Sequence, residues 1–146
     1  MTTSRTPMAL HVIAVYHNRE SRFFPYEDGH QLTQVISHWR HHPIGTDPAD
    51  IAAWAFEVFN TDLDWLEPHR STPEGEADFL IACAYRLMRR RSLSTGDVVA
   101  VTTDGSTTWL ACEFIGWRHI AIPPAVTGEP LTADAVYRHV RGGGDA

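Results

Sequence analysis

The stretch that decides the fold is Arg91-Ser-Leu-Ser-Thr-Gly-Asp-Val-Val-Ala-Val-Thr-Thr-Asp-Gly-Ser-Thr-Thr-Trp-Leu-Ala-Cys-Glu-Phe-Ile-Gly-Trp117. Residues 98–101 are apolar and rich in β-branched valine, and residues 109–115 form a second, largely apolar run. Asp104-Gly105 lies between the two runs. Asp-Gly in this position is a strong hairpin signal, because the turn requires positive φ and glycine adopts it at low cost. The stretch therefore predicts two antiparallel strands joined by a tight turn.

A second turn is predicted directly before the first of these strands. Residues 92–97 carry several hydroxyl side chains and end in Gly96-Asp97, a composition typical of turns. We predict positive φ at Gly96 and a hydrogen bond from a neighbouring backbone N–H to the Asp97 side chain. Both residues are therefore expected to be structural.

Two more strands are predicted near the start of the chain. Residues 10–16 are apolar apart from His11 and are predicted to form the first strand. Residues 31–39 are ambiguous, because their apolar positions fit helical spacing while their β-branched content fits a strand. We favour a strand for this segment.

The clearest helix is predicted over residues 46–60. Asp47 is a suitable N-cap, Pro48 fits the first helical position, and Asn60 can take the left-handed conformation at the C-terminal end. The other predicted elements are an acidic loop over 61–76, a helix over 77–89, an extended segment over 117–122 and a short helix over 133–140 capped by Thr132.

These elements predict a single α+β domain over residues 9–140, with flexible tails over 1–8 and 141–146. Its architecture is expected to be a small antiparallel sheet with two to three helices packed against it. At 146 residues the chain is long enough to build one sizeable core.

Composition narrows the function classes. The net charge is −6, which argues against a general nucleic-acid binder. The sequence has no apolar run of membrane-spanning length and no signal-peptide pattern, so we expect a cytoplasmic protein without membrane contact. Cys83 and Cys112 belong to no CxxC pair and are expected to be reduced and buried.

Two groups of residues are candidates for binding. The first is the loop over residues 18–29, which is rich in arginine and aromatic residues. Such residues are common in interface cores, but they can also cover the edge of a sheet within the fold. The second is a basic group at 86–91. Its arginines can bind phosphate, or they can form ion pairs with the acidic residues of the 61–76 loop. The candidate binding residues are Arg19, Arg22, Phe23, Phe24, Tyr26, Arg89, Arg90 and Arg91.

Three histidines form the densest polar cluster. His38 with His41 or His42 has the i,i+3 or i,i+4 spacing that brings zinc ligands together on a helix. No HExxH pattern is present and no cysteine is near. We therefore expect exposed loop histidines, no metal and no cofactor.

Residues 53–120 are similar to a known family in the order of their features. Trp54-Ala-Phe-Glu-Val-Phe-Asn60 is followed by Ser92-Leu-Ser-Thr-Gly-Asp-Val-Val99 and then by Trp109-Leu-Ala-Cys-Glu-Phe-Ile-Gly-Trp117. This order resembles the small YodL-like domains of plasmids and integrative conjugative elements. Thr95 stands where those domains usually have valine, and the 61–89 segment is longer than expected. The resemblance implies a role in mobile-element biology, including action against host defence.

The leading hypothesis is a non-enzymatic accessory protein of a plasmid, phage or conjugative element that acts by binding a macromolecular partner, with a protein favoured over nucleic acid. One alternative is a small hydrolase or nuclease that uses the three histidines with Asp47 or Asp50. Another is a nucleic-acid-binding module that uses Arg86–Arg91. We also predict a two-fold homodimer, because one small sheet cannot readily bury so many large aromatic side chains. The candidates for its interface are Phe23, Phe24, Tyr26, Trp39 and Trp65.

Overall fold

The computed structural model of the chain describes residues 7–21, 23–88 and 91–128. The predicted C-terminal helix at 133–140 with its Thr132 cap, and Arg22, Arg89 and Arg90, lie outside the described residues. The elements are, in chain order, β1 (Met8–Asn18), β2 (Leu32–Pro43), α1 (Pro48–Asn60), α2 (Leu63–Leu66), a 3-10 turn (Glu67–His69), α3 (Pro73–Leu87), β3 (Val98–Thr103), β4 (Ser106–Cys112), β5 (Trp117–Ile120) and β6 (Val126–Gly128).

The six strands form one sheet in the order β5-β4-β3-β1-β2-β6. All neighbours are antiparallel except β2 and β6, which run parallel from Leu32↔Val126 to Gln34↔Gly128. The predicted α+β class is confirmed. The predicted small antiparallel sheet is wrong in both respects, because the sheet formed by the described residues has six strands and is mixed. Strand β6 has only three residues, too few to produce a periodic pattern in the sequence.

The hairpin between β3 and β4 has the predicted turn. Asp104 and Gly105 both have positive φ, 51° and 78°, as a type I′ turn requires. Strand β4 ends at Cys112, earlier than the apolar run suggests. Glu113–Gly116 forms a separate turn closed by a bond from the Glu113 N–H to the Gly116 carbonyl (3.0 Å).

Strand β2 confirms the strand predicted over 31–39 and extends it to Pro43. The histidines at 41 and 42 therefore lie in a strand, and the expectation that they are loop residues is wrong. Side chains alternate between the two faces of a strand. Consequently the even-numbered residues from Ile36 to His42 face the helices, opposite the odd-numbered residues of β1.

Helix α1 begins as predicted. The Asp47 side chain accepts a hydrogen bond from the Ala49 N–H (2.9 Å). The left-handed conformation predicted for Asn60 is wrong, because Phe23 and Asp104 are the non-glycine residues with positive φ in the described part of the chain. Instead, the Asn60 amide donates to the Leu93 carbonyl (2.9 Å) and accepts from the Leu93 N–H (2.8 Å). It thereby ties α1 to the segment before β3.

The predicted acidic loop at 61–76 is mostly helical. It contains α2, the 3-10 turn and the first turn of α3, which begins at Pro73 rather than at residue 77. The Thr72 hydroxyl caps α3 by accepting from the Gly75 N–H (3.0 Å). Glu74 and Glu76 stand in its first turn, where the helix dipole favours negative charge. The acidic residues therefore start a helix.

The core lies mainly between the sheet and the helices α1 and α3. It is formed by buried residues that include Ile13, Val15, Ile36, Ile51, Phe59, Ile81, Tyr85, Val99 and Leu110. A smaller cluster on the opposite face contains Tyr16, Tyr26, Leu32, Val98 and Ala111. The β1–β2 loop covers this face with Tyr26, which is only 2 % exposed. Tyr26 is therefore a core residue, and its predicted place on an exposed surface is wrong.

Candidate functional site

The two phenylalanines of the β1–β2 loop lie where a partner can reach them. The exposed fractions of Phe23 and Phe24 are 60 % and 67 %. Phe23 has φ 73°, an uncommon conformation for a bulky residue. Arg19 is also exposed, and its backbone N–H donates to the Gln31 carbonyl (2.8 Å) at the base of the loop.

A second loop brings more apolar surface to the same place. The rings of Phe24 and Phe114 meet edge to face, with centroids 6.5 Å apart. Phe114 is 68 % and Ile115 is 94 % exposed, in the turn between β4 and β5. We call Phe23, Phe24, Phe114 and Ile115 the loop-end patch. The sequence offered one signal for the latter two residues, the Gly116 that follows them and predicts a turn rather than a continuing strand.

The base of the patch is held by backbone contacts. The Ser21 hydroxyl donates to the Phe24 carbonyl (3.1 Å), and the Asn18 amide oxygen accepts from the N–H groups of Glu20 and Ser21 (both 2.9 Å). Gly96 packs against the same segment, since a Cβ atom added to it would lie 2.4 Å from the Phe24 carbonyl oxygen. The φ of Gly96 is 98°, as predicted. The loop therefore presents its aromatic side chains from a fixed base.

Arg91, a predicted binding residue, is engaged within the fold. Its guanidinium donates two bonds of 2.6 Å to the two carboxylate oxygens of Asp97. Asp97 is 1 % exposed and also accepts from the N–H groups of Asn18 and Ser94 (both 2.9 Å), which confirms its predicted structural role. Hydrogen bonding to Asp97 raises the pKa of Arg91. This arginine therefore neutralises the buried carboxylate of Asp97 and does not pair with the acidic 61–76 segment.

The predicted histidine cluster is divided between the two faces of β2. His38, Arg40 and His42 face the helices, together with His11 of β1. The His38 Nε2 atom lies 2.8 Å from Asp78 Oδ1, and Arg40 Nη1 donates to Asp78 Oδ2 (2.9 Å). His38 and Asp78 are both buried, so the expectation of an exposed histidine is wrong at position 38. The partner carboxylate therefore comes from α3, which spacing along the chain could not indicate.

His41 lies on the other face of β2 and pairs with a second carboxylate of α3. Its backbone N–H donates to Glu74 Oε2 (2.9 Å), and its Nδ1 atom lies 3.0 Å from the same oxygen. Burial acts to raise the pKa of Glu74, but the bonds from His41 and the charge of Arg40 outweigh it and hold that pKa below its ordinary value. Among residues 7–21, 23–88 and 91–128, no group of three or more His, Cys, Asp or Glu side chains is placed to hold a metal ion. The absence of a metal remains a prediction.

Trp54 of α1 covers the histidines on the helix side. Its ring stacks on His38, with centroids 5.5 Å apart at an angle of 23°, and meets the edge of His42 at 5.1 Å. The Arg40 guanidinium lies 5.5 Å from the centre of the Trp54 ring. His42 in turn contacts His11 (5.5 Å between centroids). A layer of imidazole and indole rings therefore lies at this end of the sheet, with His11 and His38 buried and His42 and Trp54 partly buried.

A cleft of about 670 Å³ opens beside this layer, between α1 and the start of α3. Its walls are Trp54, Glu57 and Val58 from α1, Thr61 directly after α1, Trp65 and Leu66 from α2, His69, and Thr72, Gly75 and Asp78 at α3, with Arg40 of β2 among them. The three α1 residues lie on one side of the helix, at i, i+3 and i+4 spacing. The volume is in the usual range for a small-molecule site.

The histidine layer makes stability depend on pH. Burial lowers the pKa of His11 and His42 below the ordinary value of 6.5, and the neighbouring His11 lowers that of His42 further. Above this pH both residues are neutral in the folded and unfolded chain. Below it the unfolded chain takes up protons first, so we expect the free energy of unfolding to fall as the pH drops, by at most about 1.4 kcal/mol per pH unit for each histidine.

Urea unfolding at about pH 7.5 and about pH 5.5 measures this effect. His42→Gln should make the difference between the two conditions smaller. His119→Gln, at an exposed position of β5, is the matched control and should leave it unchanged. Equal stability at both values, or an unaltered difference in the His42 variant, contradicts the prediction.

Cys83 and Cys112 are both free thiols, as predicted. Cys112 is buried, whereas Cys83 is only half-buried, so the predicted burial is confirmed for Cys112 alone. Burial raises the pKa of Cys112 to about 11 and also raises that of Cys83. Neither thiol is therefore set up as a nucleophile at neutral pH.

Within the described ranges, no helix has the length and apolar character needed to cross a membrane. Comparison of the chain with models of known protein families, with curated proteins and with solved structures finds no match.

Proposed function

We propose that the chain is a non-enzymatic accessory protein of a mobile genetic element, such as a plasmid, phage or conjugative element, and that it acts in the cytoplasm by binding a protein partner. The sequence resemblance to YodL-like domains supports the mobile-element setting. Action against host defence is the form of this role that we favour. No cofactor is expected in this activity.

The observation that carries the proposal is the loop-end patch. Its four large apolar side chains are 60–94 % exposed and lie on two loops whose rings touch. Soluble monomers rarely expose contiguous apolar surface without a use for it. Aromatic residues are enriched where protein interfaces are buried. The β1–β2 loop is held at its base by Gly96 and Ser21. Binding therefore costs less conformational entropy than it would with a mobile loop.

The enzymatic alternative has weaker support. His38 is paired with Asp78 beneath Trp54 and its side chain is fully buried, so a substrate cannot contact it without movement of the layer. His41 and His38 lie on opposite faces of the strand. The carboxylates that meet these histidines are those of α3, in place of Asp47 and Asp50.

The alternative of nucleic-acid binding through Arg86–Arg91 is also less favoured. Arg91 is neutralised by Asp97, and the net charge of the chain is −6. Nonspecific binding to nucleic acid depends on clustered, uncompensated positive charge.

We propose further that the free chain is a two-fold homodimer in which the loop-end patch of one copy covers that of the other until a partner replaces it. Light scattering should then give about twice the chain mass of 16.4 kDa. Phe24→Ser combined with Phe114→Ser should give the monomer mass. Ile44→Ser, which removes an exposed apolar residue from the β2–α1 connection, should leave the dimer intact. A monomeric wild-type chain rules out the dimer.

Affinity capture from the native host, with mass spectrometry of the retained proteins, tests partner binding. We expect at least one protein that is retained by the wild-type chain and by Ile44→Ser but lost with the double phenylalanine variant. Circular dichroism first confirms that each variant is folded. Retention of the same proteins by all three chains contradicts a partner site at the loop-end patch.

A further inference from the structure

We propose that the cleft between α1 and α3 is a second binding site, and that it takes a small organic cation with an ammonium group on an apolar body. The site is separate from the loop-end patch and does not depend on the proposed partner binding. Its size, its charge and its aromatic walls each support this ligand class.

The walls of the cleft are apolar where a ligand body would lie. Trp54 and Val58 project from α1, and Trp65 and Leu66 from α2. Trp65 is 71 % exposed, so its indole is available to an incoming ligand. A cleft of about 670 Å³ holds a ligand of metabolite size. The shape therefore favours a small molecule over a protein segment.

The charge of the cleft is negative. Its one arginine, Arg40, lies beside two carboxylates: its Nη1 is 2.9 Å from Asp78 Oδ2, and its Nε is 3.7 Å from Glu74 Oε1. Its positive charge is therefore already balanced. The Glu57 carboxylate has no hydrogen-bond or ion-pair partner among the described residues. An anion entering the cleft would meet uncompensated negative charge, whereas a cation would neutralise it.

The indoles suit the same ligand. The face of an indole ring carries negative electrostatic potential and attracts cations within about 6 Å of its centre. The fold already uses this attraction in the cleft, because the Arg40 guanidinium lies 5.5 Å from the centre of the Trp54 ring. Trp65 offers a second indole, exposed in the same cleft. The Trp54 ring already carries Arg40 and is stacked on His38, so the exposed Trp65 indole, with the Glu57 carboxylate in the same cleft, is the part that resembles the aromatic cages that bind quaternary ammonium groups.

The test is a titration of the full chain, labelled with ¹⁵N, with benzyltrimethylammonium chloride at constant ionic strength. The tryptophan indole N–H signals report binding, and we expect those of Trp54 and Trp65 to shift and saturate. Phenylacetate, which has an aromatic body and the opposite charge, should shift neither. Shifts with both probes, or with neither, overturn the proposal.

Two variants locate the ligand. Glu57→Gln should weaken binding of the cation about threefold to fivefold, and Trp65→Ala should weaken it about fivefold or more. Asp28→Asn, at an exposed turn between β1 and β2, is the charge-matched control and should bind as the wild-type chain does. Equal affinity of the Glu57 and Asp28 variants overturns the assignment of the carboxylate. The double variant Phe24→Ser with Phe114→Ser should bind the cation with the affinity of the wild-type chain. A negative result in this titration would therefore leave the proposed partner site at the loop-end patch untouched.

Discussion

Replacement of Asp97 by alanine is expected to lower the free energy of unfolding by about 3–5 kcal/mol, the usual consequence of removing one partner of a buried ion pair. The variant leaves the Arg91 guanidinium without its two bonds of 2.6 Å. It also leaves the N–H groups of Asn18 and Ser94 without their acceptor. Each unsatisfied buried group adds its own desolvation penalty.

Urea unfolding followed by circular dichroism measures this change. Asp62→Ala is the matched control, because Asp62 precedes α2 without making a side-chain capping bond; its effect should stay within about 0.5 kcal/mol. The double variant Asp97→Ala with Arg91→Ala should be less destabilised than the sum of the single variants, since it removes the unpaired charge together with its partner. A loss below about 1 kcal/mol for Asp97→Ala would show that the pair is not a main support of the fold.

Gly96→Ala is the second substitution with a large expected effect. Its φ of 98° is strained for any residue with a Cβ atom, at a cost of about 1 kcal/mol or more. The added methyl group would also lie 2.4 Å from the Phe24 carbonyl oxygen. That oxygen belongs to the backbone and cannot rotate away, so the β1–β2 loop must shift at a further cost of about 1–3 kcal/mol. We expect a total loss of about 2–4 kcal/mol.

Gly29→Ala separates the two contributions. Gly29 has nearly the same φ, 93°, and an added Cβ atom would meet nothing within 4 Å. Its substitution should therefore cost only the backbone contribution of about 1 kcal/mol. Equal thermal unfolding midpoints for the two variants would mean that the contact of Gly96 with Phe24 does not limit stability. The Gly96 variant should also weaken partner binding, because it displaces the loop that carries Phe24.

Local signals predicted the elements that form locally. The Asp104-Gly105 turn, the Asp47 cap of α1 and the positive φ of Gly96 depend on residues within a few positions of one another, so a single sequence contains the information. Strand β6 was missed because its three residues are ordered by pairing with β2. The predicted start of α3 at residue 77 is four residues late, because acidic side chains suit both a solvated loop and the first turn of a helix. Thr72-Pro73 has the residue types of a helix start.

The same distinction applies to the sites. Phe23 and Phe24 were predicted as binding residues from their composition, but their contact with Phe114 depends on how two distant loops meet. The pairing of His38 with Asp78 joins residues forty positions apart in the chain. One signal for it was present: Asp78 lies three residues after Gly75 and three before Ile81, on the buried side of α3. A carboxylate among buried helical positions predicts a buried partner of opposite or switchable charge.

The bond between Glu74 and the backbone N–H of His41 also bears on whether a strand of another molecule can add to β2. The outer side of β2 is paired at residues 32–34, and no strand of the described residues pairs with it from residue 35 to Pro43. Unpaired edges invite strands from other molecules to add on. The Glu74 carboxylate accepts the hydrogen bond of the His41 N–H, a donor that an added strand would need. It also places a negative charge beside that position. We infer that this contact of Glu74 hinders the addition of another strand at His41.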